Sequence, residues 1–410
     1  MKIPKLMYAL VLALSFWQCE SEETPQPNEN VATIDCAEAN VCDLAKVNNS
    51  FGWDIFKELH EEAPTDNLFI SPNSLSTALT MTLNGATTET FDAIQQTLQL
   101  TDWTLEKANT AYQALLPVLP NLDADVEMAI ANAIYYREGY PVKEAFLETN
   151  NTFFYSPTEG LDFKNPAAVI TINDWVSDQT NGLIPDIIDE IPDETVMYLL
   201  NAIYFKAPWR YAFDASLTEN APFYKEDQST VQVPMMTFGE EVTIPYQINA
   251  SYEAIDLPYA NAAYSMTLLL PRPDVSVDAL VNELAGANWN QIIEAFGEQT
   301  LSVYLPKFAL EEKYDEAMKK ALTDLGMGIA FDEIRADFAN IGPGELYISK
   351  VIHKSFLEVS EAGTEAAAVT AVEVSLESLS PTITFDRPFI FVIRENQGNN
   401  ILFMGKFMKP

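Results

Sequence analysis

The sequence predicts a mixed α and β domain built around a large, mainly antiparallel sheet. Helical periodicity dominates the first third of the chain, and stretches rich in β-branched and aromatic residues dominate the remainder. Helices that precede the strands, rather than alternating with them, favour the α+β class. The chain has 410 residues, of which 48% are hydrophobic, so it can bury a large core. No linker-like stretch divides residues 43–410.

Periodicity assigns the main elements in order along the chain. The first helix follows from Leu44, Phe51, Ile55 and Leu59 at helical spacing, and Pro64 ends it. Further helices are predicted at 74–84, 88–98, 105–115, 167–179 and 314–325. Strands are predicted at 127–136, 195–205, 263–270, 346–359, 389–394 and 401–407.

The N-terminal segment predicts export. Residues 1–18 are typical of a signal peptide, because basic residues precede an apolar run of about a dozen residues that is too short to span a bilayer. Cys19 follows directly, and acidic and proline residues come after it, as at a bacterial lipoprotein processing site. We expect a lipid anchor on Cys19, a flexible acidic tether over 19–42 and a domain over 43–410. The expected location is the outer membrane or cell surface; ordinary cleavage and secretion is the alternative.

Cysteine and histidine counts limit the chemistry of the chain. Besides Cys19, only Cys36 and Cys42 are present, and an exported protein could oxidise them to a disulfide; two free thiols are the alternative. With two histidines in the chain, Cys/His metal clusters are absent, and we expect no metal and no cofactor. The formal net charge of -37 disfavours nucleic acid as a partner.

Catalytic motifs are missing. Hydrolysis by a serine nucleophile needs a base, most often a histidine. His60 lies in a predicted helix among glutamates, and His353 lies in an apolar strand, where a structural role is the usual one. The chain contains neither a G-x-S-x-G nucleophile elbow nor a glycine-rich phosphate loop, so an enzyme is disfavoured.

A period of two marks residues 364–377. The even-numbered residues are uncharged, whereas all the charges fall on odd-numbered ones. This alternation predicts a strand with one buried face and one wet face. Its first side chains are small, which suits a strand that enters a crowded gap, and Gly363 supplies backbone freedom for a swing. The segment is therefore suited to insertion between existing strands.

The same segment carries a family resemblance. Residues 361–368 read EAGTEAAA and resemble the reactive-loop hinge of inhibitory serpins. Other blocks resemble serpin motifs in serpin order: LFISPNSLSTALTMTLNGA at 68–86, INDWVSDQTNGLIPDII at 172–188, LLNAIYFKAPW at 199–209, VYLPKFALEEKYD at 303–315, ISKVIHKSFLEVSEAGTEAAA at 348–368, and FDRPFIFVIREN followed by LFMGK near the end. The resemblance covers residues 43–410.

The resemblance implies a fold and a mechanism. The fold would have a large central, mainly antiparallel sheet, two further sheets, about eight to nine helices and an exposed reactive loop at 361–381. The function implied is inhibition of serine-type endopeptidases, not catalysis. The protease cleaves the loop and forms an acyl-enzyme, and it is trapped covalently when the loop inserts into the main sheet. The partner would be a serine protease, or alternatively a cysteine protease, bound by a monomeric inhibitor.

The resemblance also assigns residues. Those of the hinge are Glu361, Gly363, Thr364, Glu365, Ala366, Ala367 and Ala368. Ser71, Ser74, Asn201 and His353 match polar residues beneath the sheet where strands part, while Trp209 and Lys307 match the end where insertion starts. We expect a Lys307–Glu361 ion pair there. Loop spacing places the scissile bond at Glu377–Ser378, with cleavage after Leu376 or Val374 as alternatives.

Two other functions stay open. A serpin that acts as a carrier, chaperone or structural protein is the first alternative, and the uncharged hinge residues argue against it. A lipid-anchored hydrolase is the second, and the lack of a histidine-based triad argues against that.

Overall fold

The chain folds into two β-sheets with helices packed on them. The structure is a computed structural model, and it describes residues 32–364 and 380–410. Within these ranges the helices are α1 (Val41–Glu62), α2 (Pro72–Leu83), α3 (Thr88–Thr97), α4 (Leu105–Leu115), α5 (Glu144–Phe154), α6 (Ala167–Gln179), α7 (Val277–Ala285), α8 (Trp289–Glu294) and α9 (Glu316–Asp324).

The strands of the described ranges follow the same chain order. They are β1 (Leu68–Ile70), β2 (Glu127–Arg137), β3 (Thr158–Leu161), β4 (Met197–Pro208), β5 (Glu219–Tyr224), β6 (Thr230–Thr237), β7 (Val242–Ile248), β8 (Tyr252–Pro258), β9 (Tyr264–Pro271), β10 (Gly297–Pro306), β11 (Phe308–Tyr314), β12 (His353–Ser360), β13 (Gly363–Thr364), β14 (Thr382–Thr384), β15 (Phe389–Glu395) and β16 (Ile401–Phe407).

The sheets are mainly antiparallel, as the sequence predicts. One has the order β11-β12-β13-β4-β2-β3. The other runs β1-β16-β15-β9-β8-β7-β10-β6-β5, with β14 beside β10. The first half of β10 pairs with β7, and its second half pairs with β6 and β14, so this ten-stranded network consists of two groups joined through β10. Only β2–β3 and β10–β14 are parallel pairs among the described strands.

Helix α2 lies between the two sheets and contacts both β4 and β16. It begins where the Ser71 side chain accepts a hydrogen bond from the Ser74 N–H, with Pro72 in the first turn. Eleven of its twelve residues are buried, because sheets cover it on two sides. A second apolar cluster forms where α6 covers the opposite face of β2 and β4. The six-stranded sheet is therefore packed on both faces.

Several predicted boundaries differ from the structure by a few residues, and two of the differences have a clear structural reason. The strand predicted at 346–359 is regular only from His353, because residues 346–352 leave the ladder and line a cavity. The helix predicted at 314–325 begins at Glu316, since Tyr314 completes β11 by pairing with His353. Strand propensity and helical periodicity are both satisfied by short apolar runs, so the sequence does not separate the two.

Candidate functional site

The hinge segment enters the six-stranded sheet as a two-residue strand. Gly363 pairs with Ser360 and Pro208, and Thr364 pairs with Val359 and Ala207. Both pairings are antiparallel, so β4 and β12 run parallel to each other on either side of β13. The hinge thus occupies the first two positions of a strand between β4 and β12.

Gly363 is required by close packing. Its φ is +145°, and a Cβ at this position would lie 2.2 Å from the carbonyl oxygen of Ala207 and 2.6 Å from the Cα of Pro208. A side chain does not fit between these backbone atoms. The sequence predicts Gly363 as a source of freedom for a swing, and the structure gives it the additional role of allowing two strands to approach.

Thr364 anchors the hinge from beneath. Its side chain is 2% exposed, and its hydroxyl forms a 2.8 Å hydrogen bond with the hydroxyl of Tyr259. Burial raises the pKa of Tyr259, which therefore stays protonated and can donate or accept. Sequence reasoning missed Tyr259, because this residue lies 105 residues from Thr364 and outside the blocks that resemble serpin motifs.

Trp209 connects β4 to the turn before the hinge. Its indole Nε1–H donates to the Ser360 carbonyl at 2.9 Å, and its backbone N–H donates to the Ala362 carbonyl at 3.0 Å. The indole stacks on Tyr259 with ring centroids 4.4 Å apart. These contacts join the end of β4 to the end of β12 and to the turn that precedes β13.

Glu361 is held by two side chains at the same end. Lys307 Nζ lies 3.0 Å from Glu361 Oε2, and the Thr218 hydroxyl donates to Oε1 at 2.9 Å. The Lys307 side chain is 42% exposed, so water screens this ion pair. The structure therefore brings together Trp209, Lys307 and Glu361, the three residues that the sequence assigns to this end of the sheet.

Beyond Thr364, the described residues place no strand between β4 and β12. Within residues 32–364 and 380–410, no backbone pairing joins β4 directly to β12. A small pocket lies directly below Thr364, lined by Phe205 and Leu357 among others. A larger cavity of about 170 Å³ follows further along the two strands. Among the described residues, the positions between β4 and β12 beyond Thr364 are therefore unpaired.

The four polar residues assigned to the opening region lie together around α2. The backbone N–H of Ser71 donates to His353 Nε2 at 3.0 Å, and the hydroxyl of Ser74 donates to Asn201 Oδ1. Asn201 Nδ2 donates to Asn132 Oδ1 at 2.7 Å. Helix α2 is thus tied to β12 through Ser71 and to β4 through Ser74.

Both histidines are buried and held by structural contacts. Burial lowers the pKa of His353 to about 4, so the imidazole is neutral near pH 7. His60 contacts Lys406 Nζ through Nδ1 at 2.7 Å, and burial, followed by the charge of Lys406, lowers its pKa. In the described ranges neither ring receives a hydrogen bond from a serine hydroxyl, and no group of three or more Cys, His, Asp or Glu side chains could hold a metal ion.

The start of the described chain contains a disulfide between Cys36 and Cys42, with Cα atoms 5.0 Å apart. Residues 32–40 contact the domain: the Ala32 N–H donates to the Asn121 carbonyl, and the Ile34 N–H donates to Gln397. In the described part of the chain, no helix is long and apolar enough to cross a membrane.

Several predicted features lie outside the described residues. They are the signal peptide 1–18, the anchor Cys19, tether residues 19–31, the hinge residues Glu365, Ala366, Ala367 and Ala368, and the scissile-bond candidates Glu377, Ser378, Leu376 and Val374. These assignments, and the domain boundary at residue 43, stay predictions.

Comparison with known proteins identifies the family. The family model described as "Serpin (serine protease inhibitor)" matches residues 46–410. An uncharacterized serpin-like protein of Thermococcus kodakarensis is 34% identical over 407 residues, covering 94% of this chain and 92% of the relative. The leukocyte elastase inhibitor of Homo sapiens is 33% identical over 388 residues, covering 90% of this chain and 99% of the relative.

Solved structures agree. The thermophilic serpin tengpin in its native state aligns with a TM-score of 0.82 at 31% identity, over 92% of this chain and 95% of that chain. Human thyroxine-binding globulin in complex with thyroxine aligns with a TM-score of 0.80 at 29% identity, over 90% of this chain and 99% of that chain. The chain belongs to the serpin family and has the serpin fold.

Proposed function

We propose that this chain inhibits serine-type endopeptidases as a suicide substrate, by loop cleavage, acyl-enzyme trapping and insertion of the loop as a new strand between β4 and β12. One observation carries the proposal: the hinge already occupies the first two positions between these strands, and the positions beyond it are unpaired in the described chain. Relatives named as leukocyte elastase inhibitor and antithrombin-III support an inhibitory role.

The observed register defines what an inserted strand would meet. Thr364 pairs with Ala207 and Val359, so continued pairing sets residue 366 opposite 205 and 357, and residue 370 opposite 201 and 353. The strand would match all of β4 down to Met197 with residues 365–374. Insertion would therefore complete the sheet over ten residues, because residue 374 lies opposite residue 197 when the antiparallel register of Thr364 and Ala207 continues.

The phase of the alternation fits that register. Thr364 faces the core, so the even-numbered residues that follow would face inward, opposite the buried residues of β12. These inward residues are uncharged: Ala366, Ala368, Thr370, Val372 and Val374. Glu365 and Glu373 would face outward. Charge would therefore stay out of the core during insertion.

Insertion supplies the free energy for trapping. An added central strand forms on the order of ten or more backbone hydrogen bonds, each worth roughly 1 kcal/mol net. Burial of the inward methyl groups adds roughly 25 cal/mol for each Å² of apolar surface. The uncleaved loop is fixed at both ends and cannot insert fully, so cleavage releases this free energy when the protease is still acylated.

A protease panel tests the proposal. The full-length chain is incubated with Glu-specific, chymotrypsin-like, elastase-like, subtilisin-like and trypsin-like enzymes. We expect a complex that survives denaturing gels with at least one enzyme. The mass of the released C-terminal peptide then identifies the bond, and a peptide beginning at Ser378 would match the Glu377–Ser378 assignment.

Thr364→Arg provides the decisive variant. Its guanidinium cannot be buried beside Tyr259, so we expect insertion to fail and the complex to be replaced by cleaved chain. Thr382→Arg is the matched control, because Thr382 is exposed on β14.

Clean cleavage of the wild type by every protease, with no complex, would instead favour a non-inhibitory serpin. Thyroxine-binding globulin, whose structure is similar, was solved with thyroxine bound.

We also propose that the chain is exported and lipid-anchored through Cys19. The disulfide at Cys36–Cys42 supports an oxidising compartment. Metabolic labelling with palmitate should modify the wild type, and Cys19→Ser should lose the label and leave the membrane fraction. An unlabelled wild type in the medium would support secretion without an anchor.

A further inference from the structure

The turn between β8 and β9, residues 259–263, has an unfavourable backbone conformation. Ala260 and Ala262 have φ values of +37° and +69°, in the left-handed region that residues with a Cβ rarely adopt. The turn also closes tightly, because the Ala262 N–H donates to the Tyr259 carbonyl at 2.6 Å. A strained backbone of this kind persists only where the surrounding structure holds it. Groups outside the turn must therefore maintain its shape.

A buried carboxylate holds the tip of the turn. Asp123 precedes β2 and is 2% exposed. Its Oδ2 accepts a hydrogen bond from the Asn261 N–H at 2.8 Å, and its Oδ1 accepts one from Asn261 Nδ2 at 2.9 Å. Asn261 Nδ2 also donates to Asp125 Oδ2 at 2.8 Å. Hydrogen bonds to ionised carboxylates are roughly twice as strong as neutral ones, so these contacts fix both the backbone and the side chain of Asn261.

The rest of the turn is held by two other segments. Asn396, which follows β15, donates from its backbone N–H to the Ala263 carbonyl and from Nδ2 to the Ala262 carbonyl, both at 2.9 Å. The Ala260 N–H donates to the Pro208 carbonyl at 2.9 Å. Because Pro208 pairs with Gly363, the turn is joined to β4 directly beside the hinge.

The first residue of this turn carries the contact with the hinge. Tyr259 is fully buried, and its hydroxyl forms the 2.8 Å hydrogen bond with the Thr364 hydroxyl. Tyr259 lies two positions before Asn261, so the backbone of the turn determines where its ring lies. A displacement of Asn261 would therefore move the hydroxyl relative to Thr364.

We propose that Asp123 and Asn261 are positioning residues for the hinge: their contact holds the β8–β9 turn in the conformation that places the Tyr259 hydroxyl beneath Thr364. Because the two residues act through Tyr259, their effect on the hinge requires the hydrogen bond between Tyr259 and Thr364. The consequence for inhibition rests on the proposed function, whereas the positioning of the hinge does not.

Hydrogen exchange of residues 359–364 measures the opening of the hinge in the uncleaved full-length chain, without protease. Asn261→Ala removes two side-chain hydrogen bonds at an exposed position. Asn249→Ala is the matched control, because Asn249 is also exposed and its Oδ1 accepts from the N–H groups of Ser251 and Tyr252 in the β7–β8 turn. We expect Asn261→Ala to accelerate hinge exchange roughly tenfold, and Asn249→Ala by less than about twofold. Equal acceleration by the two variants would refute the positioning role.

A double-mutant cycle separates positioning from a general loss of stability. Tyr259→Phe removes the hydroxyl that bonds to Thr364. In the Tyr259→Phe background, Asn261→Ala should accelerate hinge exchange by less than about twofold, because the bond through which Asn261 acts is already absent. A full effect of roughly tenfold in that background would overturn the proposal, since it would show that Asn261 acts without Tyr259.

Asp123→Asn tests the carboxylate itself. The asparagine keeps the shape of the side chain, but its Nδ2 replaces one acceptor and then faces a donor of Asn261. We expect hinge exchange to accelerate roughly tenfold. The double variant with Asn261→Ala should show less than the product of the two single effects, because both substitutions break the same contact. A fully multiplicative effect would show that the two residues act independently and would contradict the proposal.

The consequence for inhibition is measured separately, with a protease that the wild type traps. Asn261→Ala should lower the yield of the denaturation-resistant complex and raise that of cleaved chain, whereas Asn249→Ala should match the wild type. An unchanged yield would refute the effect on inhibition. A wild type that traps no protease would refute the proposed function, while the exchange experiment decides the positioning by itself.

Discussion

Replacing Gly363 with alanine tests whether close backbone contact holds the hinge between β4 and β12. The added Cβ would lie 2.2 Å from the Ala207 carbonyl oxygen and 2.9 Å from the Trp209 nitrogen. Both are backbone atoms, one in β4 and one directly after it, so they cannot rotate away. We expect the substitution to expel residues 363–364 from the sheet.

The cost of expulsion can be estimated from the contacts that are lost. The Tyr259–Thr364 hydroxyl pair and the bond from Ser360 Oγ to the Gly363 carbonyl both break, together with backbone pairing to β4 and β12. At roughly 1 kcal/mol net for each hydrogen bond, the native state loses about 3 kcal/mol or more. Functionally, an expelled hinge should insert more slowly after cleavage, so more chain is cleaved for each protease trapped.

Gly139→Ala is the matched control. Gly139 also has a positive φ, +82°, but a Cβ there would meet nothing within 4 Å. It therefore carries only backbone strain, roughly 1 kcal/mol. Denaturant unfolding measures the difference between the variants, and hydrogen exchange of β4 and β12 locates it. Equal stability of the two variants, with unchanged protection of β4, would refute the role of close contact.

The remaining predictions concern acid and redox conditions. The pKa of His353 is about 4 in the folded chain and 6.5 in the unfolded chain. The contribution of the neutral imidazole to the free energy of unfolding is therefore complete above pH 6.5. About 3 kcal/mol of that free energy is lost as the pH falls towards 4. His353→Gln should flatten the pH dependence of the unfolding free energy in that window; an unchanged slope would contradict this. Reducing the Cys36–Cys42 disulfide should cost roughly 2 kcal/mol, as judged from loop-closure entropy. Dithiothreitol should therefore destabilise the wild type but not the Cys36→Ser, Cys42→Ser double variant, and equal effects on both would exclude the disulfide as the cause.

Sequence periodicity located the helices best where one face alone is buried. Helices α4 and α6 match the predicted ranges 105–115 and 167–179 at both ends. Helices α5, α7 and α8 were not predicted, nor were the strands β1, β3, β5 to β8, β10, β11 and β14. α8 has six residues and buries only Trp289, so it offers too few apolar repeats for a helical period to be seen. Strand β8 is buried at most positions, which removes the alternation that marks a strand.

The site shows the same division. The family motifs placed Trp209, Lys307 and Glu361 at one end of the sheet, and the structure brings these three together. The family motifs did not reveal Tyr259, since its hydroxyl matters only because the β8–β9 turn carries it under Thr364. Nor did the sequence show that Gly363 lies too close to Ala207 for any side chain.

What the sequence determined by itself is local: the alternation of charge after Gly363, the leader-like start, the motifs that define the serpin family, and the lack of catalytic motifs. These depend on residues that are neighbours along the chain. The tertiary structure alone decided that Gly363 and Thr364 pair between β4 and β12, which residues anchor them, and where a cavity lies. Those features depend on atoms from distant segments of the chain that meet within a few ångströms. The spacing of residues along the sequence does not determine such distances.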